Sequence, residues 1–270
     1  MGGGHRVHLY CTGNGSPTVM VVGGGFSFDW GMIQPEVARF TRICTYDPSG
    51  TAWSDLDRQK PVPRCADRVD EIHRLLVIAN VPSPYILVGF SIGGLIGRLY
   101  TQQYPDQVAG IVIIDHAFIN IGSTTPPPQP PVSSDSPPVL ISAPPISFGI
   151  EDDQNFSKLP QRNRDLHAWA VSNHPLRPAA ETAAECSAAI ELATKGQPYP
   201  FRDRPVIVIR TIEDQPAYES LQASLLRLSR NSKQVVAQHS SHAVIIDEPD
   251  LVTTCIRTVF EAAKTKTKLR

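Results

Sequence analysis

Gly89-Phe90-Ser91-Ile92-Gly93 is the segment of this 270-residue chain best suited to chemistry. It follows Tyr85–Val88, an apolar run with strand character, and it opens the helical pattern Ile92–Tyr104. A G-x-S-x-G turn between strand and helix projects the serine hydroxyl from the edge of a sheet, on a bend too tight for side chains at the flanking positions. A serine hydroxyl attacks well only when a base takes its proton. Of the 8 histidines, His242 is the best placed: it follows the last strand-like run through a short loop, Gln238–Ser241, and precedes a helix. His239 is its nearest competitor. His116, His167 and His174 fall in or beside a mid-chain segment and read as surface or lid residues, whereas His5, His8 and His73 read as structural.

The base needs an acid to orient it, and three carboxylates qualify. Asp214 follows the strand Val206–Ile209 and lies 28 residues before His242. Asp115 ends the strand Gly110–Asp115, 24 residues after Ser91, and is the alternative; Glu213 is third. Both strand ends face one edge of the sheet. Acyl transfer also needs N–H donors for the developing oxyanion. Candidates are the amides of Ile92, at the helix start, and Phe26, in the loop Gly23-Gly24-Gly25-Phe26 whose glycines permit close backbone approach.

The elements that must hold these groups alternate. Strand-like runs at Val7–Tyr10, Thr18–Val22, Arg42–Tyr46, Tyr85–Val88 and Gly110–Asp115 are separated by helical patterns at about 32–40, 64–79 and 92–104. Apolar strands alternating with amphipathic helices predict an α/β fold with a mostly parallel sheet covered on both faces. After Asp115 the alternation stops. Fourteen of the 25 prolines fall in residues 117–200, nine of them between Pro126 and Pro145, too dense for helix or central strand. Helical signals return at Leu159–Ser172 and Ala179–Thr194. The rhythm resumes with Val206–Ile209, a helix around Tyr218–Ser229, Gln234–Ala237 and Pro249–Ala263. The expected division is a core of residues 1–116 and 201–270 with a lid, 117–200, whose proline-rich arm lies over the Ser91 mouth.

These motifs resemble the α/β-hydrolase fold superfamily over nearly everything outside the insertion. The resemblance rests on Val21-Val22-Gly23-Gly24-Gly25-Phe26 with Trp30, on Tyr46-Asp47-Pro48-Ser49-Gly50 with Ser54, on Gly89–Gly93, and on Ser241-His242-Ala243 with Asp247–Val252. Two departures stand out: Gly24-Gly25 replaces the family's frequent His-Gly, and Ala52 replaces a glycine of the Asp47–Ser54 segment. The resemblance implies a serine hydrolase, esterase- or lipase-like, with a helical lid inserted after the sixth strand. It implies Asp214 at the family's usual acid position, which makes it the first choice, and Asp115 at one used by some lipases of the fold.

The expected reaction is cleavage of small to medium apolar carboxylic esters through an acyl-enzyme on Ser91. Alternatives are another acyl-bond hydrolase (thioester, lactone or carbon–carbon), an acyltransferase, or a non-catalytic lid-gated binding protein. Phe118, Phe148 and Trp169 are the candidate substrate contacts of the lid, within an aromatic set that also includes Phe156, Tyr199 and Phe201. No cofactor and no metal are expected: dinucleotide, P-loop and metal-ligand patterns are missing. A net charge of −1 argues against nucleic acid as a partner, and no apolar run is long enough for a membrane span. Oligomeric state is left open. The 5 widely spaced cysteines read as buried reduced thiols. Localisation is left open: cytoplasmic by default, secreted if a leader was removed.

Overall fold

The computed structural model describes residues 4–57, 59, 63–115, 150–151, 153–173, 179–212 and 216–269. Seven strands form one sheet: β1 (Leu9–Thr12), β2 (Thr18–Val21), β3 (Ile43–Tyr46), β4 (Tyr85–Phe90), β5 (Val108–Ile114), β6 (Val206–Arg210) and β7 (Ser232–Val236). Their order is β1-β3-β2-β4-β5-β6-β7, with β1 antiparallel to β3 and every other pair parallel. Eight α-helices lie among the described residues: α1 (Gln34–Ala38), α2 (Cys65–Ile78), α3 (Ile92–Gln103), α4 (Gln161–Asn173), α5 (Ala179–Thr194), α6 (Pro216–Ser224), α7 (Val244–Asp247) and α8 (Pro249–Thr265). Among the described residues, five strands precede the segment 117–200.

Because side chains alternate across a strand, each strand feeds two cores. Met20, Leu87, Ile111 and Val208 face α2, α3 and α5, meeting Ile72, Leu76, Leu99 and Ile190. Val19, Val21, Ile86, Val88, Val112 and Ile207 face α8, meeting Val252, Ile256 and Val259. β4 is buried along its whole length. That burial on both faces is why its sequence is apolar throughout and why the turn after it is rigid.

The described helices of the segment expected as a lid lie in two places. Helix α4 packs over the turn that follows β2, joining Ala170 to Phe26, Phe28 and Ala52. Helix α5 instead completes the wall beside α2 and α3, with Ala183, Cys186 and Ile190 inside the main core. Phe201 is likewise core, not lid, while Tyr199 is exposed beneath the Arg230 guanidinium. The proline-rich arm, with Phe118 and Phe148, lies outside the described residues.

The cysteines correct the expectation of reduced thiols. Cys11 and Cys44 face each other across the β1–β3 ladder and are joined; Cys65, opening α2, is joined to Cys186 of α5. Only Cys255, buried on α8, is a free thiol. Neither bridge has a spacing that reveals it, because each partner is brought by tertiary packing. The Cys11–Cys44 pairing also fixes the register of β1, which begins two residues later than its composition suggests. The Cys65–Cys186 bridge closes a 121-residue separation. Removing it as a Cys65→Ala/Cys186→Ala pair should lower the unfolding free energy by about 2–4 kcal/mol, read as a lower urea midpoint with a steeper slope, since the uncrosslinked denatured chain is more expanded. An unshifted midpoint would contradict this.

Candidate active site

Ser91 stands between β4 and α3 with φ 53° and ψ −120°, a backbone state unfavourable for any residue with a Cβ. Its own N–H donates to Ile114 O at 2.9 Å, and its carbonyl accepts the Gly94 N–H at 3.0 Å. The flanking glycines are there for space: a Cβ on Gly89 would sit 2.2 Å from Gly93 O, and one on Gly93 would sit 2.5 Å from Gly23 O. The turn expected from the sequence is therefore present, and it presses against the loop after β2. Ile92 is the first residue of α3, where an N–H has no partner within its helix.

His242 lies in the loop between β7 and α7, and its imidazole centroid is 4.8 Å from the ring of Phe90, the residue before Ser91. Its Nδ1 is 2.5 Å from Asp115 Oδ2. The structure thus brings to the imidazole the carboxylate that the sequence placed second. Asp214 and Glu213 lie outside the described residues. His239 is held differently, its N–H donating to Glu248 Oε1 at 2.8 Å.

Asp115 follows β5 with φ 40° and is buried. Its N–H continues the ladder to Ile209 O at 2.8 Å. Oδ1 accepts hydrogen bonds from the Tyr218 hydroxyl and, at 3.5 Å, from Thr211 Oγ1, which leaves Oδ2 for the histidine. The Thr211 N–H in turn donates to the Tyr218 hydroxyl at 3.0 Å. Burial and the adjacent Asp115 push the Tyr218 phenol well above its ordinary value, so it stays a donor. Thr211 and Tyr218 carry no sequence motif; only the adjacency of β5 and β6 puts them against Asp115.

Phe26 departs from expectation. Its N–H donates to Asp29 Oδ2 at 2.7 Å and so already has an acceptor. The physical cause is the tight 27–30 turn, which folds the Asp29 carboxylate back onto the loop. Gly24 lies nearer the nucleophile: with φ 85°, a Cβ there would meet Phe90 O at 2.1 Å. Asp47, in the second motif, anchors the same loop by accepting the Ser27 N–H at 2.8 Å and the Ser27 hydroxyl at 3.0 Å.

The cap is tied to both halves of the site. At the histidine loop, Asn155 Nδ2 donates to Asp247 Oδ1 at 2.7 Å and the Ser241 hydroxyl donates to Asp153. At the glycine-rich loop, Asn163 Nδ2 donates to Phe28 O at 2.7 Å. There too His167, expected as a surface or lid histidine, is buried to 1% exposure with Nδ1 2.8 Å from Asp29 Oδ1 and Nε2 3.1 Å from Glu151 Oε2. Trp169, on the same helix, is exposed, with its ring 6.2 Å from that of Trp53, which in turn abuts Phe28 at 5.2 Å. No group of three or more metal-type ligands occurs among the described residues, and none of their helices is long and apolar enough to cross a membrane.

Comparison with known proteins gives this arrangement a family. The uncharacterized protein YqjL of Bacillus subtilis is 25% identical over 258 residues, covering 93% of this chain and 85% of that protein. A thermophilic esterase from Thermogutta terrifontis superposes with a TM-score of 0.68 at 19% identity, covering 96% of this chain and 94% of the other. A meta-cleavage product hydrolase from Pseudomonas fluorescens gives 0.66 at 16% identity, covering 96% of both chains. These two likenesses establish the fold. The family described as alpha/beta hydrolase fold matches residues 17–249, a span that contains Ser91, Asp115 and His242. The chain belongs to the alpha/beta hydrolase fold family and is a hydrolase of that family.

Proposed function

We propose that the protein cleaves carboxylic esters, small to medium in size and apolar in the acyl part, through an acyl-enzyme on Ser91. The observation that carries this reading is the 2.5 Å contact of His242 Nδ1 with Asp115, at an imidazole lying over the residue before the strained Ser91. Asp115 holds the proton on Nδ1, which leaves Nε2 as the basic nitrogen. Ser91 Oγ attacks the ester carbonyl while Nε2 takes its proton. The oxyanion is met by the Ile92 N–H and by amides of the Gly24–Gly25 segment, in place of Phe26. Nε2 then gives its proton to the departing alcohol, and water repeats the sequence to release the acid and restore Ser91.

The buried Phe28 and the exposed Trp53 and Trp169, in contact with one another, suit an apolar acyl group. The two disulfides suit an oxidising compartment better than the cytoplasm. The same chemistry would open a thioester or a lactone, so the test must compare bond types. A fluorophosphonate probe should label Ser91 in the full chain. p-Nitrophenyl acetate and butyrate should turn over faster than a matched thioester or lactone. Labelling with preferred turnover of a thioester or lactone would replace the ester assignment. Absence of both labelling and turnover would leave a binding protein on a hydrolase scaffold.

A further inference from the structure

The cluster formed by Asp29, His167 and Glu151 takes no part in the chemistry above, yet it is the most completely buried polar contact between the cap and the core. Asp29 and His167 are each 1% exposed. Asp29 divides its carboxylate, Oδ2 accepting the Phe26 N–H and Oδ1 facing His167 Nδ1. His167 reaches Glu151 with its other nitrogen. Two carboxylates on two ring nitrogens require both nitrogens to carry protons, because neither acceptor can supply one when ionised. Phe26 and Phe156 close the ring faces, with centroids 5.4 and 5.2 Å away.

We propose that His167 is a positioning residue for hydrolysis: by bridging Asp29 of the core to Glu151 of the cap, it fixes the Gly23–Phe26 loop against the Ser91 turn. This rests on the ester-hydrolase reading. The chain of contacts is continuous. Glu151 holds His167, His167 holds Asp29, Asp29 holds the Phe26 amide and lies against Gly25, and the two glycines before that, Gly24 and Gly23, lie against Phe90 and Gly93. A small displacement of oxyanion donors is costly because they act only at the correct distance from the developing charge.

The charge state supports the same role. Burial alone would depress the His167 imidazole, but the hydrogen bonds and charges of Asp29 and Glu151 outweigh it and raise it to about 9. Burial raises the Asp29 carboxyl, with the His167 and Phe26 hydrogen bonds acting against that rise and Asp47 behind it adding to it. Among the described residues, the titratable groups that face His167 are Asp29 and Glu151. Since the folded value lies above the ordinary imidazole value, the contribution is complete below about pH 6.5 and is lost as pH rises through about 9.

The test uses the full chain with p-nitrophenyl butyrate, measuring kcat and KM from pH 6 to 10 beside thermal melts. The parent should lose kcat on an alkaline limb near pH 9. His167→Gln should lower kcat about 10- to 100-fold while KM moves less than about threefold. Glu151→Gln, at the partly exposed end of the cluster, should lower kcat near pH 6.5 less than His167→Gln does and shift the alkaline limb to lower pH. If His167→Gln gives no cooperative melt, the Glu151→Gln limb decides alone. A parent profile flat to pH 10, an unmoved limb in Glu151→Gln, or a folded His167→Gln with parental kcat overturns the proposal. A parent that does not hydrolyse the ester at all sinks the underlying reading instead.

Discussion

Asp115→Asn should lower kcat for p-nitrophenyl butyrate by about 10³- to 10⁴-fold with little change in KM. The asparagine keeps the volume and can keep one hydrogen bond, but no orientation of its amide is right. With Nδ2 toward His242, Nδ1 must accept, so the proton moves to Nε2 and the base can no longer take the Ser91 proton. With Oδ1 toward His242 the tautomer is preserved, but Nδ2 then faces the Tyr218 and Thr211 hydroxyls that now donate to the carboxylate. In both cases the negative charge opposite the transient imidazolium is gone. Asp214→Asn should stay within a few-fold of the parent. The pair of variants separates the two acids: large loss only in Asp214→Asn would reverse the assignment, and a melt within a few degrees of the parent shows that Asp115→Asn acts on chemistry and not on folding.

Ser91→Ala should remove turnover by about 10⁴-fold or more and abolish fluorophosphonate labelling, leaving whatever rate the amides and binding alone sustain. No acyl-enzyme can form, so the burst of p-nitrophenol in pre-steady-state measurements should vanish with the steady rate. Stability should barely change. The strain at φ 53° belongs to the backbone of the turn, and alanine inherits it together with the amide bonds to Ile114 and Gly94. Unchanged turnover in a folded Ser91→Ala protein would show that Ser91 is not the nucleophile.

The fold and the strand-to-helix turn that carries Ser91 were legible because both are written in local terms. β4 is apolar through its length, Gly89 and Gly93 bracket Ser91, and helical spacing follows, each a constraint acting over a few residues. His242 was legible for the same reason, as the histidine in the loop joining the last strand to a helix. The acid was not. Asp115 and Asp214 both follow strands whose ends face one edge, and sequence distance alone ranks neither. Their separation depends on where Tyr218 and Thr211 lie, and that follows from β5 and β6 pairing in register.

The residues Gly89–Gly93 with which the chain first declares its chemistry are thus determined by sequence alone, since a tight strand-to-helix turn needs only its own glycines. Tertiary structure decided what approaches that turn. It set Asp115 on His242, committed the Phe26 amide to Asp29, buried His167 between two carboxylates, and paired four cysteines spaced like free thiols. Each of these contacts joins residues far apart in the chain or turns on a side chain folding back. Short-range pattern cannot encode that geometry; only the packing of the sheet, α2, α4 and α5 supplies it.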